Sequence, residues 1–163
     1  MIWSNNFFSL LVRFALMTKA IKVLNRISVL FFAAIFLLVY AYLPIAVDLG
    51  IEEVGQLHKQ NFFYYFFGAF MIINILLRVT TNLGTENLKE GISSWIRSIV
   101  FIINFYLTTM VGFIGVLNNT NHINPESYAY LSYLGPTLMV VWVIGLIFLI
   151  IKTRGAKHSI SAL

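Results

Sequence analysis

The chain of 163 residues contains no cysteine. That absence excludes disulfide bonds, thiolate metal sites, iron–sulfur clusters and cysteine nucleophiles. Charged residues are scarce as well, at 10% of the sequence, against about 25% in soluble domains. Apolar residues make up 60%, which is more than a soluble core of this size buries, whereas bilayer hydrocarbon solvates them readily. The composition therefore predicts an integral membrane protein.

Four stretches of the sequence lack Asp, Glu, Lys, Arg and His altogether. They cover residues 28–47, 61–77, 98–117 and 127–151. Each is long enough to cross the hydrocarbon as a helix, which takes roughly 17–25 residues. We therefore expect an all-α integral membrane protein whose transmembrane domain, residues 27–152, is a bundle of four transmembrane helices. A short cytoplasmic tail, residues 153–163, follows that domain.

The eleven Lys and Arg residues are unevenly distributed around these stretches. Ten precede the first stretch, lie between the second and third or follow the fourth, and only Lys59 lies on the other side. Short cytoplasmic loops are enriched in Lys and Arg, so we expect both termini to be cytoplasmic (N-in/C-in). Tyrosine favours the membrane–water boundary, and the tyrosines at the predicted outer ends agree: Tyr40, Tyr42, Tyr64, Tyr65, Tyr128, Tyr130 and Tyr133.

The segment 1–26 mixes apolar and aromatic residues with Arg13, Lys19, Lys22 and Arg26. This composition is typical of an amphipathic helix that lies in the headgroup layer on the cytoplasmic side. An alternative is that translation begins at Met17, and both readings stay open. A second, short interfacial helix is predicted at about residues 85–90, between Gly84 and Gly91.

Polar residues inside the predicted spans are the candidate site residues, because hydrocarbon makes them costly. Asn74 lies in the second span, and Asn104, Thr108 and Thr109 lie in the third. Asn104 and Thr108 are four residues apart and therefore share a helix face. These side chains either form a small polar site or pore, or make hydrogen bonds that hold helices together. We favour interhelical contacts, with Thr also able to bond its own backbone.

The predicted outer loops carry the remaining candidates for metal binding, and their spacing does not favour a site. Asp48, Glu52, Glu53, His58 and His122 follow no recognisable metal-ligand pattern, so we interpret them as solvated charges. No histidine lies in a span, which argues against haem. We therefore expect no cofactor, no metal site and no catalytic residue.

The residues of the predicted spans indicate which classes of function to expect, but not a specific function. Ionisable residues inside spans are the usual mark of pumps and ion-coupled transporters, and these spans have none. The spans also offer no nucleophile with a base, so we do not expect an enzyme. Topology explains the net charge of +5, so no nucleic-acid partner is expected.

We therefore expect a small non-catalytic protein of the bacterial cytoplasmic membrane. Its role would be that of an accessory, assembly or scaffolding subunit that contacts the lipid bilayer and binds another membrane protein, or itself as an oligomer. The alternatives are a small transporter or channel component, or an envelope or lipid sensor.

Overall fold

The computed structural model describes residues 3–51, 55–86, 88–119 and 124–158, with side chains described between residues 18 and 153. The described chain is mostly helical. Its elements are α1 (Trp3–Tyr42), β1 (Ala46–Asp48), β2 (Gln56–His58), α2 (Lys59–Leu83), α3 (Glu90–Arg97), α4 (Ile99–Leu117), a 3-10 helix (Pro125–Tyr128) and α5 (Tyr130–His158).

Within the described residues, four helical segments are long and apolar enough to cross a membrane. They are Thr18–Tyr42, Lys59–Leu83, Glu90–Leu117 and Pro125–Thr153. Each contains most of one predicted charge-free stretch, so the prediction of four helices long and apolar enough to span a membrane is confirmed. The charge-free stretches predict these helices because unbroken apolar sequence of this length is incompatible with a soluble surface.

The first span ends earlier than the sequence predicts. The stretch 28–47 suggested one helix, whereas α1 ends at Tyr42 and residues 46–48 form β1. Pro44 explains the end, because a proline disfavours helical conformation in the residue before it. β1 then pairs antiparallel with β2, with Val47 opposite Leu57. The predicted outer loop between the first two spans is therefore a small hairpin.

Lys59, the single exception to the charge asymmetry, has a structural role at this hairpin. Its Nζ donates to the carbonyl of Leu43 at 2.8 Å and lies 3.4 Å from the carbonyl of Ala41. The same ammonium group lies 4.9 Å from the centre of the Tyr40 ring. A cation at the C-terminus of a helix satisfies carbonyls that have no intrahelical partner. The end of α1 thus accounts for a lysine on the side that otherwise lacks them.

The short helix predicted at about residues 85–90 lies later in the chain. Residues 84–86 form a turn, and α3 begins only at Glu90 and ends at Arg97. A carboxylate in the first turn and a guanidinium in the last turn both favour these boundaries through the helix dipole. Gly84 follows the last turn of α2, where its N–H donates to the carbonyl of Thr80. Gly91 lies inside α3 instead of marking its end.

A cluster of phenylalanines joins α1 to α2. The ring centres of Phe32 and Phe70 are 3.9 Å apart, and those of Phe36 and Phe62 are 5.9 Å apart. All four rings are buried, and Val111 of α4 packs in the same cluster. Aromatic pairs of this kind add to the stability gained by dense packing. The cluster occupies the half of the molecule nearer the hairpin.

α5 is held to α3 and α4 by aromatic rings that pack on glycines. A Cβ atom at Gly135 would collide with the Tyr106 ring, and one at Gly145 would collide with the Trp95 ring. The indole of Trp95 also donates to the carbonyl of Trp142 at 3.1 Å. The small residues of the fourth span therefore accommodate side chains of α3 and α4.

α1 is 40 residues long and continuous from Trp3 to Tyr42. At about 1.5 Å per residue it measures roughly 60 Å, twice the hydrocarbon thickness of about 30 Å. The predicted N-terminal segment and the first span therefore form a single helix. Whether residues 1–26 lie in the headgroup layer, and whether translation starts at Met17, stay predictions, since the side chains of residues 1–17 lie outside the described set.

Candidate functional site: a cationic pocket

The two asparagines predicted from the spans face each other across α2 and α4. Asn74 Nδ2 donates to Asn104 Oδ1 at 2.8 Å, and Asn104 Nδ2 donates to Asn74 Oδ1 at 3.0 Å. Asn104 Nδ2 also donates to Ser28 Oγ of α1 at 3.2 Å, and Asn74 Nδ2 donates to the carbonyl of Phe70 at 3.0 Å. All three side chains are buried. We call Ser28, Asn74 and Asn104 the amide cluster.

The amide cluster uses every hydrogen that its two amide groups can donate. Each Nδ2 has two N–H groups, and the four bonds above take all four. Thr108 and Thr109 do not join the cluster, since they donate to the carbonyls of Asn104 and Tyr106 on their own helix. This arrangement joins α1, α2 and α4 and leaves no amide N–H of the cluster for an ion or substrate. The cluster therefore makes the interhelical hydrogen bonds that connect these three helices.

A different polar region lies where the middle of α1 meets the C-terminal ends of α2 and α3. It is a cavity of about 300 Å³ that we call the cationic pocket. Four cationic side chains line it: Lys22, Arg26, Arg78 and Arg97. No carboxylate lies among its lining residues in the described part of the chain. Formal charges of one sign from three helices therefore converge on one small volume.

Hydrogen-bonding side chains complete the pocket. Thr18, Asn25, Thr81, Asn82 and Ser94 contribute hydroxyl and amide groups, and Ile21 and Val100 provide an apolar wall. Thr18 Oγ1 and Ser94 Oγ are 2.9 Å apart, and Asn25 Nδ2 donates to the carbonyl of Arg97 at 3.0 Å. These bonds attach α3 to α1 and so fix the side of the pocket that α3 forms.

Arg97 is the most constrained of the four cations. Its Nε donates to Thr85 Oγ1 at 3.3 Å, and Thr85 Oγ1 in turn donates to the carbonyl of Thr81 at 2.6 Å. Arg97 is half-buried, whereas Lys22, Arg26 and Arg78 are exposed. The pocket therefore combines one oriented guanidinium with three more exposed cations.

Helical spacing brings these residues together. The α1 contributors stand at positions 18, 21, 22, 25 and 26, the α2 contributors at 78, 81 and 82, and the α3 contributors at 94 and 97. Intervals of three and four place residues on one helix face. Counting Lys and Arg by membrane side found these cations, but not their convergence. The spacing of the residues within each helix was visible in the sequence. The contact between α3 and α1, which brings the helices together, was not.

The chemistry of the pocket suits an anion. Lys and Arg bind phosphate and carboxylate through charge-assisted hydrogen bonds, and hydroxyl and amide groups add neutral donors. Glu86 and Glu90, the acidic residues that flank the segment before α3, are exposed and do not line the cavity. The volume is at the small end of the range for ligand sites, which suits a headgroup-sized ligand.

Asp48 and His58, the predicted outer-loop residues within the described part of the chain, do not form a comparable site. Asp48 Oδ1 accepts a hydrogen bond from the Gly50 N–H, and His58 Nδ1 accepts one from the Gln60 N–H. Among the described residues no group of three or more His, Cys, Asp or Glu side chains is arranged to hold a metal. Glu52, Glu53 and His122 lie outside the described residues.

Comparison with protein-family models, curated proteins and solved structures returned no match.

Proposed function

We propose that this chain is an N-in/C-in bundle of four membrane-spanning helices that binds an anionic, phosphate-bearing headgroup in the cationic pocket. Its role is that of a non-catalytic, lipid-responsive membrane protein. The observation that carries the proposal is the convergence of Lys22, Arg26, Arg78 and Arg97 on one cavity without a lining carboxylate. Charge asymmetry supports the orientation, since ten of eleven Lys and Arg flank the same ends of the spans.

Topology alone does not account for the pocket. The positive-inside rule asks only that Lys and Arg lie near the cytoplasmic ends of spans. Lys19, Lys89 and Lys152 satisfy that rule, are exposed and do not line the cavity. The pocket cations satisfy the rule and also line one cavity, which brings like charges to the same small volume. Such an arrangement costs free energy unless an anion occupies the pocket.

Depth in the membrane favours a lipid as the source of the anion. Trp95 directly follows the pocket residue Ser94, and tryptophan concentrates at the membrane–water boundary. Ile21 and Val100 give the pocket an apolar wall beside its cations. Anionic lipids are enriched in the cytoplasmic leaflet, where nearby Lys and Arg each contribute about 1 kcal/mol to membrane attraction. A lipid phosphate at this depth would meet the pocket from the bilayer side.

Native mass spectrometry of the purified protein tests the proposal. Samples in mixed micelles would contain phosphatidylglycerol and phosphatidylcholine at equal concentration. Replacing Arg26 and Arg78 by Gln together should lower anionic-lipid binding about 30-fold, because each replacement removes a charge-assisted hydrogen bond in the pocket that contributes about 1 kcal/mol. The matched control replaces Lys89 and Lys152 by Gln, which removes the same charge outside the pocket. Equal losses in the two double variants would overturn the proposal.

A second candidate, the accessory subunit, is favoured by the length of α1. The helix continues through residues 3–17 before it reaches Thr18, the first residue at the pocket. At about 1.5 Å per residue this extension measures roughly 22 Å, which offers a partner protein a helix outside the bundle. Crosslinking in cell membranes, followed by purification of the full chain and of a chain starting at Met17, tests it. Loss of a crosslinked partner from the shorter chain supports this role, and an unchanged pattern or no partner contradicts it.

A further inference from the structure

We infer that the ligand of the cationic pocket carries a phosphate group with at least two negative charges, as in a phosphomonoester or diphosphate headgroup. This inference rests on the proposed function and narrows its ligand class. A phosphodiester lipid brings one negative charge to four lining cations. A phosphomonoester brings about 1.5 to 2 negative charges near neutral pH, and a diphosphate brings more. The multiply charged ligand therefore leaves less like-charge repulsion inside the pocket.

The directions of the cations support the same ligand class. Lys22 and Arg26 are one helical turn apart on α1, Arg78 belongs to α2 and Arg97 belongs to α3. The cavity is thus approached by cations from three helices. A terminal phosphate presents three acceptor oxygens, whereas a diester phosphate has two non-bridging oxygens and a substituent on each side. Only the terminal group can offer a charged oxygen towards each of the three helices.

Orientation of Arg97 adds specificity to this charge argument. The contact of its Nε with Thr85 holds one edge of the guanidinium, and Thr85 is itself 2% exposed. The hydrogen bond from Asn25 to the backbone carbonyl holds the residue from the α1 side. A guanidinium fixed in this way binds two oxygens of one phosphate in parallel. We therefore assign Arg97 as the residue that positions the phosphate, with the exposed cations closing around it.

Competition binding in nanodiscs tests the inference. Phosphatidylcholine discs would carry equal amounts of either phosphatidate, a phosphomonoester, or phosphatidylglycerol, a phosphodiester. We expect phosphatidate to bind at least about tenfold more tightly at about pH 8, since one further charge contributes at short range. The difference should shrink at about pH 5, because the second ionisation of a phosphomonoester has a pKa near 6.

Soluble inorganic phosphate and inorganic diphosphate form separate arms that identify the source of the phosphate. Displacement of phosphatidate by diphosphate supports the assigned chemistry and indicates a soluble ligand, whereas resistance to displacement supports the same chemistry with a lipid ligand. Equal affinity for phosphatidate and phosphatidylglycerol overturns the inference and leaves the proposed function standing. Failure of both lipids to bind above phosphatidylcholine overturns both.

Two variants test the role of Arg97. Arg97→Lys keeps the charge and removes the planar fork, so the tenfold preference for phosphatidate should fall to within about twofold while phosphatidylglycerol binding persists. Lys89→Arg, which changes an exposed side chain outside the pocket, should leave the preference intact. Arg78→Gln provides a further readout in a side chain that is exposed and therefore compatible with folding. It should weaken phosphatidate binding more than phosphatidylglycerol binding, and the opposite order contradicts the inference.

Discussion

The amide cluster and the cationic pocket are two polar regions that share α1 and α2 and differ in how their polarity is compensated. In the amide cluster, Asn74 and Asn104 donate to each other and to Ser28 and Phe70. In the cationic pocket, cations from three helices line a cavity without a lining carboxylate in the described chain. The amide cluster is compensated inside the protein and connects three helices, whereas the uncompensated charge around the cavity is the basis of the proposed binding role.

The sharpest way to break this comparison is to place the same charge in both regions. Asn104→Asp puts a carboxylate in the buried cluster, where it has no cationic partner, and should lower the free energy of unfolding by about 3–5 kcal/mol. Asn82→Asp puts the same group at the edge of the cationic pocket, where neighbouring cations stabilise it. That variant should keep its stability and lose anionic-lipid binding. Denaturant titration in mixed micelles, with lipid binding measured in parallel, separates the two outcomes.

Removing the amides without adding charge should have a smaller effect. Asn104→Leu leaves the Asn74 amide buried with an unused donor and should cost about 2 kcal/mol. Asn74→Leu combined with Asn104→Leu should cost less than the sum of the single variants, because no orphaned amide remains. Unfolding measurements on the four proteins of this cycle check the prediction. Strict additivity would mean that the two amides do not act as a pair.

The position of these two regions was only partly predictable. Charge-free stretches predicted the spans, and Asn74 and Asn104 were predicted as site residues because they are polar residues inside those stretches. Their pairing depends on the relative rotation and register of α2 and α4, which single-sequence periodicity does not define. Ser28, the third member, stands at the edge of a span, where a serine carries little information. The predicted end of the first span at 47 was wrong because an apolar run does not distinguish helix from the strand that follows Pro44.

The pocket was harder to predict than the spans. Its cations were counted as a topological signal, which depends on membrane side alone. Their convergence requires α3, whose start at Glu90 the sequence reasoning placed about five residues too early. Once α3 is in place, Ser94 and Arg97 meet Thr18 and Asn25 of α1. Long-range contacts of this kind follow from packing and not from local pattern.

Displacing α3, which forms one side of the pocket, should have an effect of intermediate size on stability and on lipid binding. Gly145→Ala places a methyl group against the Trp95 ring, and overpacking of this kind costs about 1–3 kcal/mol. Because Trp95 belongs to α3, the variant should also reduce anionic-lipid binding and shift tryptophan fluorescence. Gly112→Ala is the matched control, since a Cβ there meets no atom within 4 Å. Identical behaviour of the two variants would contradict the packing of α5 described above.

Ionic strength should produce the smallest effect and should act on one region only. Salt screens exposed charges over about 10 Å at 0.1 M and about 3 Å at 1 M. Raising salt over that range should weaken lipid binding at the exposed cations Lys22, Arg26 and Arg78 several-fold. The buried amide cluster carries no charge, so its contribution to the free energy of unfolding should not change. Equal salt sensitivity of binding in the wild-type protein and in the Arg26/Arg78 double variant would contradict the assignment.

A pair of lysines on α1 offers the most direct measurement. Lys19 and Lys22 are three positions apart, are both exposed and differ in that only Lys22 lines the cationic pocket. The affinity of Lys19→Gln and Lys22→Gln for an anionic lipid in nanodiscs can be compared with that of the unmodified protein. We predict about a fivefold loss for Lys22→Gln, equivalent to about 1 kcal/mol for a lost charge-assisted hydrogen bond, and less than about a twofold loss for Lys19→Gln, whose charge salt screens. Equal losses would mean that the positive charge acts by membrane side alone and that the pocket is not a binding site.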